Sequence, residues 1–270
     1  MKLTVFILVL TFFVSTSVGA KTELVFGIVP QQSATTLAKN WGPLLKEISE
    51  RSGISIKFAT AKDIPTFEKR LLEQTYDIAY MNPYHYVVVS QQPGYQALAR
   101  QRDKKIKGII VVPKSSSSTS LADLANQTIV FPAPAAFAAT IIPQAVFRQA
   151  NIGITPKYVF SHDSVYMNVA RGFAPAGGGV IRTFRGTPKA ISNELRILWQ
   201  SDGYTPHAIA TKPSIPPEIR NKLLTAMLSL NDQTEVAPLL AAINFKGFVA
   251  ANDQDWDDVR ALNIQTRLAE

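Results

Sequence analysis

Residues 128–140, Thr-Ile-Val-Phe-Pro-Ala-Pro-Ala-Ala-Phe-Ala-Ala-Thr, combine the ingredients of an anion seat. A β-branched and aromatic run is broken by Pro132 and Pro134, then gives way to small residues and an apolar run at helical spacing. That order reads as strand, tight turn and helix start. The first turn of a helix leaves N–H groups without intrahelical partners and carries partial positive charge, so it can hold an anion on backbone donors. Ala135 and Ala136 have too little bulk to keep a ligand away from those donors. An ordinary buried strand and helix, with proline as punctuation, is the competing reading.

His162 opens a second helix beside Asp163 and Ser164, where it can reach an anion or act as part of a cap. Consecutive residues of a helix point to different sides, so this His-Asp-Ser run is not a nucleophilic triad. The chain has no Gly-x-Ser-x-Gly, no Walker motif and no cysteine, and an enzyme is not expected. Arg182, at the end of an expected strand over 179–182, can grip a phosphate or carboxylate through two N–H groups or form a salt bridge. Tyr84, Tyr86, Tyr166 and Tyr204 offer aromatic walls with a polar tip. His85 and His207 read as packing residues, and the three histidines do not share metal-ligand spacing, so neither a metal nor another cofactor is expected.

Positioning these groups requires a framework, and the apolar periodicity supplies one. Strands are expected over 23–29, 54–59 and 77–80, alternating with helices over 34–52 and 64–74, the first of which ends at Gly53. A buried strand over 108–113 follows, then a polar run over 115–120 that reads as an exposed turn and helix cap. A second α/β unit comprises strands over 128–131, 157–160 and 179–182 with helices over 136–149 and 163–171. A return strand over 207–210, a helix over 218–230 and a closing helix over 256–268 complete the chain. The Pro and three glycines of 174–179 read either as a loose loop or as backbone that approaches a ligand or the opposite half. Alternating strands and helices indicate an α/β fold with mostly parallel sheets, whose ligands sit beyond the carboxyl ends of strands. Two such units without a flexible linker imply two lobes crossed by more than one segment.

Residues 1–20 contain one charged side chain, Lys2, an apolar run over 3–14 and the ending Ser-Val-Gly-Ala, the pattern of a cleaved export signal. The absence of cysteine removes disulfides and thiolate sites. A net charge of +8 suits an anionic partner, but the basic residues are scattered except for a cluster over 100–107. That cluster lacks interleaved aromatics, so nucleic acid is not expected as a partner.

Six stretches, in order, resemble a known family: Trp41-Gly-Pro-Leu-Leu; Tyr76-Asp-Ile-Ala-Tyr-Met-Asn-Pro-Tyr-His-Tyr; Ser120-Leu-Ala-Asp-Leu; Ile142-Pro ahead of Asn151-Ile-Gly-Ile; Ser161-His-Asp-Ser-Val; and Leu198-Trp199. The set is similar to the phosphate, phosphite and phosphonate solute-binding proteins of ABC transporters, which are type 2 periplasmic binding proteins. The resemblance implies a two-lobed fold with a ligand cleft between lobes, divided as an export signal over 1–20, one lobe over 21–110 plus 200–270 and the other over 111–199. It further implies a periplasmic receptor for a small anionic or zwitterionic, oxyanion-bearing molecule, working with an inner-membrane ABC permease or, alternatively, a sensor histidine kinase. The ligand would be lined by Tyr80, Asn82 and Tyr84, by the helix start with Ala135, Ala136 and Thr140, by His162 and Ser164, and by Asp202. Phosphonate-holding members place hydroxyl residues at that helix start, where this chain has Ala135-Ala136-Phe137-Ala138-Ala139.

Overall fold

The computed structural model describes residues 23–264 and Leu268; the expected export signal and the last residues of the expected closing helix lie outside them. The first half runs β1 (Glu23–Ile28), α1 (Ala34–Ser52), β2 (Ser55–Ala59), α2 (Ile64–Leu72), β3 (Ile78–Met81), α3 (Pro83–Gln91) and β4 (Gln96–Gln101). After a crossover come β5 (Gly108–Pro113), β6 (Thr128–Phe131), α4 (Ile142–Gln149), β7 (Thr155–Tyr158), α5 (His162–Ala170), β8 (Ala176–Val180), α6 (Ile181–Arg185), α7 (Lys189–Ser192) and β9 (Leu195–Gln200). The chain then returns through β10 (Ala208–Thr211), α8 (Pro217–Leu228), α9 (Ala237–Ala242), β11 (Phe248–Ala250) and α10 (Asp257–Arg260).

These elements form two sheets, ordered β11-β4-β10-β3-β1-β2 and β7-β6-β8-β5-β9, each the centre of one lobe. Both are mixed. Pairing is parallel among β1, β2 and β3 and among β6, β7 and β8, where helices make the crossovers, and antiparallel elsewhere. The expected lobe changeovers at 110/111 and 199/200 fall a few residues inside β5 and β9; the chain passes between sheets at 102–107 and 201–207. The two crossing segments pair with each other, Ile106 and Tyr204 exchanging N–H···O bonds of 2.8 and 3.0 Å. Among the described residues no helix is long and apolar enough to cross a membrane.

Helix starts are set by local chemistry. The side chains of Ser33, Asp63, Asn82 and Ser161 accept hydrogen bonds from the first-turn N–H groups of α1, α2, α3 and α5. Leu37, Trp41, Leu44, Leu45 and Ile48 form the buried face of α1, and Gly53, with a φ of 69°, ends it. Several expected elements differ; the strand expected over 157–160, for one, runs as Thr155–Tyr158. The helix over 136–149 begins as a π-helical turn, Phe137–Ile141. Pro143, which has no N–H for the Ala139 carbonyl and whose ring crowds it, accounts for this widening. The closing helix stops at Arg260 in α10, and the chain leaves helical geometry at Asn263, whose φ is 47°.

The glycines of 177–179 are neither a loose loop nor a contact with the other lobe; they are the buried centre of β8. A Cβ on Gly178 would stand 2.0 Å from the Ala139 carbonyl oxygen, and one on Gly179 would stand 2.4 Å from the Tyr166 hydroxyl. Bare backbone lets α5 and the π turn settle onto the strand, and Tyr166 holds it by accepting from Val180 N–H at 3.1 Å. The strand ends at Val180, so Arg182 lies in α6 and not in a strand. Gly178→Ala is expected to lower the unfolding free energy by about 1–3 kcal/mol in urea titration, the usual cost of overpacking.

Candidate functional site

Sheet register gathers the site at one edge of each lobe. Ile28 lies beside Tyr80 in parallel pairing and Ile209 lies across from Tyr80 in antiparallel pairing, so Gln31, Asn82 and His207 emerge together. In the other lobe β6, β7 and β8 lead into the π turn, α5 and α6. Helix starts from both lobes therefore face the seam, and their first-turn N–H groups and dipoles make it electropositive.

Tyr80 is the centre of the seam. Its ring stacks on His207 with centroids 4.9 Å apart, touches Trp41 at 4.7 Å, and has the Arg182 guanidinium carbon 5.8 Å from its centroid. Arg182 donates to the Gln31 side-chain carbonyl, across from one lobe to the other. The Gln31 amide nitrogen then donates to His207 Nε2 at 3.0 Å, which places the His207 ring proton on Nδ1. Burial, and next the positive field of Arg182, hold the His207 pKa well below its ordinary value. Arg182 has no acidic partner among the described residues.

His162, at the start of α5, is 1% exposed, and its Nδ1 lies 3.3 Å from Thr183 Oγ1. That hydroxyl also meets Tyr166 Oη at 2.8 Å and donates to the Val180 carbonyl at 3.0 Å. Burial first, then Arg182, pull the His162 pKa down to about 3, so the ring meets a ligand uncharged at neutral pH. Asn82 joins the lobes: its side chain accepts from His85 N–H at 2.8 Å and donates to the Ala135 carbonyl at 3.1 Å.

Two adjoining spaces open from these groups. The inner one, lined by Gln31, Asn82, Ala136 to Ala139, His162 and His207, has a volume of only about 10 Å³, room for a single water. The amides near Ala136 are thus at the seam, as expected, but Ala135 to Ala139 are buried and no solute fits beside them while the lobes touch. The outer space is about 320 Å³; it shares Ile106, Val180 and His207 with the inner one and adds Tyr80, Arg182 and a wall of basic side chains.

Residues 26–256 match the family model described as ABC transporter, phosphonate, periplasmic substrate-binding protein. The chain belongs to this family. It is 22% identical over 245 residues to the phosphate-import protein PhnD of Mycolicibacterium smegmatis, an alignment covering 78% of this chain and 73% of that one. Its fold is similar to that of a binding protein component of an ABC phosphonate transporter from Pseudomonas aeruginosa, with a TM-score of 0.83, 19% identity, and 90% and 86% of the two chains covered. It is also similar to PhnD1 of Prochlorococcus marinus in complex with methylphosphonate, with a TM-score of 0.82, 19% identity, and 90% and 99% covered. These are transporter receptors, so this family member is a binding protein and not an enzyme.

Of the residues expected to line the ligand, Tyr80, Asn82, Ala136 and His162 meet at the seam, and Ala135 contributes its carbonyl. The other four line neither space. Tyr84 turns its hydroxyl to the Ile264 carbonyl at 3.4 Å. Ser164 is occupied in the α5 cap, 2.9 Å from Ser161 Oγ. Thr140 is buried, with no hydrogen-bond partner for its hydroxyl among the described residues. Asp202 is exposed on the second crossover. In their place stand Gln31, Arg182 and His207. Arg182 was legible as an anion grip or an ion pair; His207 reads as packing in sequence because only its stacking on Tyr80 and its bond to Gln31 distinguish it. Nothing in the type of Gln31 singles it out, although Pro30 marks the strand end before it.

The buried imidazoles set an acid dependence of stability. Unfolded, His162 and His207 take up protons from about pH 6.5 downward. Folded, His162 does so only near pH 3 and His207 far below its ordinary range. The unfolded state binds more protons in that window, so stability is present above it and falls as pH drops, by up to about 1.4 kcal/mol per pH unit per ring. Urea unfolding at pH 6.5, 5.5 and 4.5 is expected to show this decline, with a shallower slope in His162→Asn; a flat profile would contradict the burial of both rings.

Proposed function

We propose that the protein is exported and captures a small phosphorus oxyanion of the phosphonate or phosphate class between its lobes, then presents it to an inner-membrane ABC permease. The observation that carries this reading is Arg182, a partly buried guanidinium at the seam that bonds to an amide and not to a carboxylate. An entering oxyanion offers that guanidinium a charged partner in place of Gln31, and charge-assisted bonds are about twice as strong as neutral ones. The start of α5 and the π turn, whose residues line the inner space, add backbone donors that do not depend on hydroxyl side chains at 135–139. His162, neutral with its Nδ1 turned to Thr183, contributes its other ring nitrogen to the inner space.

Relatives support the ligand class: one is named for phosphate import, one for a phosphonate transporter, and one is bound to methylphosphonate. Presentation to a sensor kinase draws no support from them. Admission of the solute requires the lobes to part, since the inner space holds one water; the 102–107 and 201–207 crossings, paired at Ile106 and Tyr204, are the natural pivot.

Isothermal titration with phosphate and methylphosphonate tests the reading, and silence for both would overturn it. Arg182→Ala is expected to weaken binding by about 1.5–3 kcal/mol, roughly 10- to 150-fold, with the thermal midpoint little changed. Arg182→Lys should recover only part of that loss, because an ammonium lacks the planar fork.

A further inference from the structure

The dense basic cluster of the sequence is not used by the oxyanion seat, yet the fold places it beside that seat. Lys104, Lys105 and Lys107 stand on the first crossover and form one wall of the 320 Å³ space; Arg182 and Arg185 of α6 form another. Among the described residues no carboxylate lines this space. Lys105 is engaged by Asp258 at 3.3 Å, but Lys104, Lys107 and Arg185 take part in no ion pair among the described residues. Lys104 is partly buried, and burial followed by the charges of Arg185 and Lys246 lowers its pKa, a sign that like charges crowd here. Cations gathered on low-dielectric walls repel one another, and an anion between them relieves that repulsion.

The space is of ligand size and is continuous in its lining with the inner seat through Ile106, Val180 and His207. An ammonium group there would face three unpaired cations and no counter-charge. We infer that the outer space receives a second anionic group of the solute, so that the ligand is a dianionic organic molecule with its oxyanion on Arg182 and a carboxylate-like terminus toward Lys104, Lys107 and Arg185. This rests on the reading above for the phosphorus end and adds the chemistry of the other end. Its consequence is a preference against aminoalkylphosphonates, whose far end carries the wrong sign.

Isothermal titration at low ionic strength with methylphosphonate, 2-aminoethylphosphonate, 3-phosphonopropionate and the phosphorus-free dianion glutarate tests the inference. The expected order is 3-phosphonopropionate tightest, about tenfold or more over methylphosphonate, and 2-aminoethylphosphonate weakest. In Lys104→Ala/Lys107→Ala the gap between 3-phosphonopropionate and methylphosphonate should close, and in Arg185→Gln it should narrow; unchanged thermal midpoints identify folded variants. High salt should also narrow it. Tighter binding of 2-aminoethylphosphonate, or a gap that survives in both variants, overturns the inference while leaving the phosphonate reading in place. Should only glutarate bind, with loss in the lysine variant, the phosphorus reading fails and the dianion site stands. Silence across the whole set sinks both.

Discussion

Positive charge without a carboxylate, held where two lobes shut out water, is the constraint on which this structure turns. Arg182 satisfies one of its donors on Gln31, lies over the Tyr80 ring, and adds its field to the burial that keeps His162 and His207 neutral. A carboxylate in the position of Gln31 would neutralise the guanidinium and leave little electrostatic reason for an anion to enter. An amide orients it while leaving the charge available.

Close approach is the second theme. Small residues occupy the places where elements must touch: Ala135 to Ala139 at the seam and glycines at the centre of β8. At the seam Asn82 bonds directly to the Ala135 carbonyl, and the inner space beside Ala136 to Ala139 has room for one water.

Much of the architecture was legible. Apolar periodicity located α1, α2, α5 and α8, because amphipathicity acts within a few residues, whereas the capping side chains Ser33, Asp63, Asn82 and Ser161, and α3 itself, became visible only in the fold. The elements that misled did so for local reasons as well: Pro143 opens a π turn, and Asn263 leaves helical geometry early. At the seam, Tyr80, Asn82, Ala136 and His162 come together because they stand at strand and helix ends, whereas Tyr84, Ser164 and Asp202 stand near such ends but turn to the C-terminal segment, an α-helical cap or solvent.

By itself, then, the amino-acid order determined an α/β chain of two units, the absence of thiol side chains, several helix starts and the family resemblance. The tertiary structure alone decided which side chains share the seam. Arg182 and Gln31 are 151 residues apart, and Gln31 and His207 are 176 apart. Their meeting depends on strand register and on how two sheets close over one another, and neither is written in local periodicity.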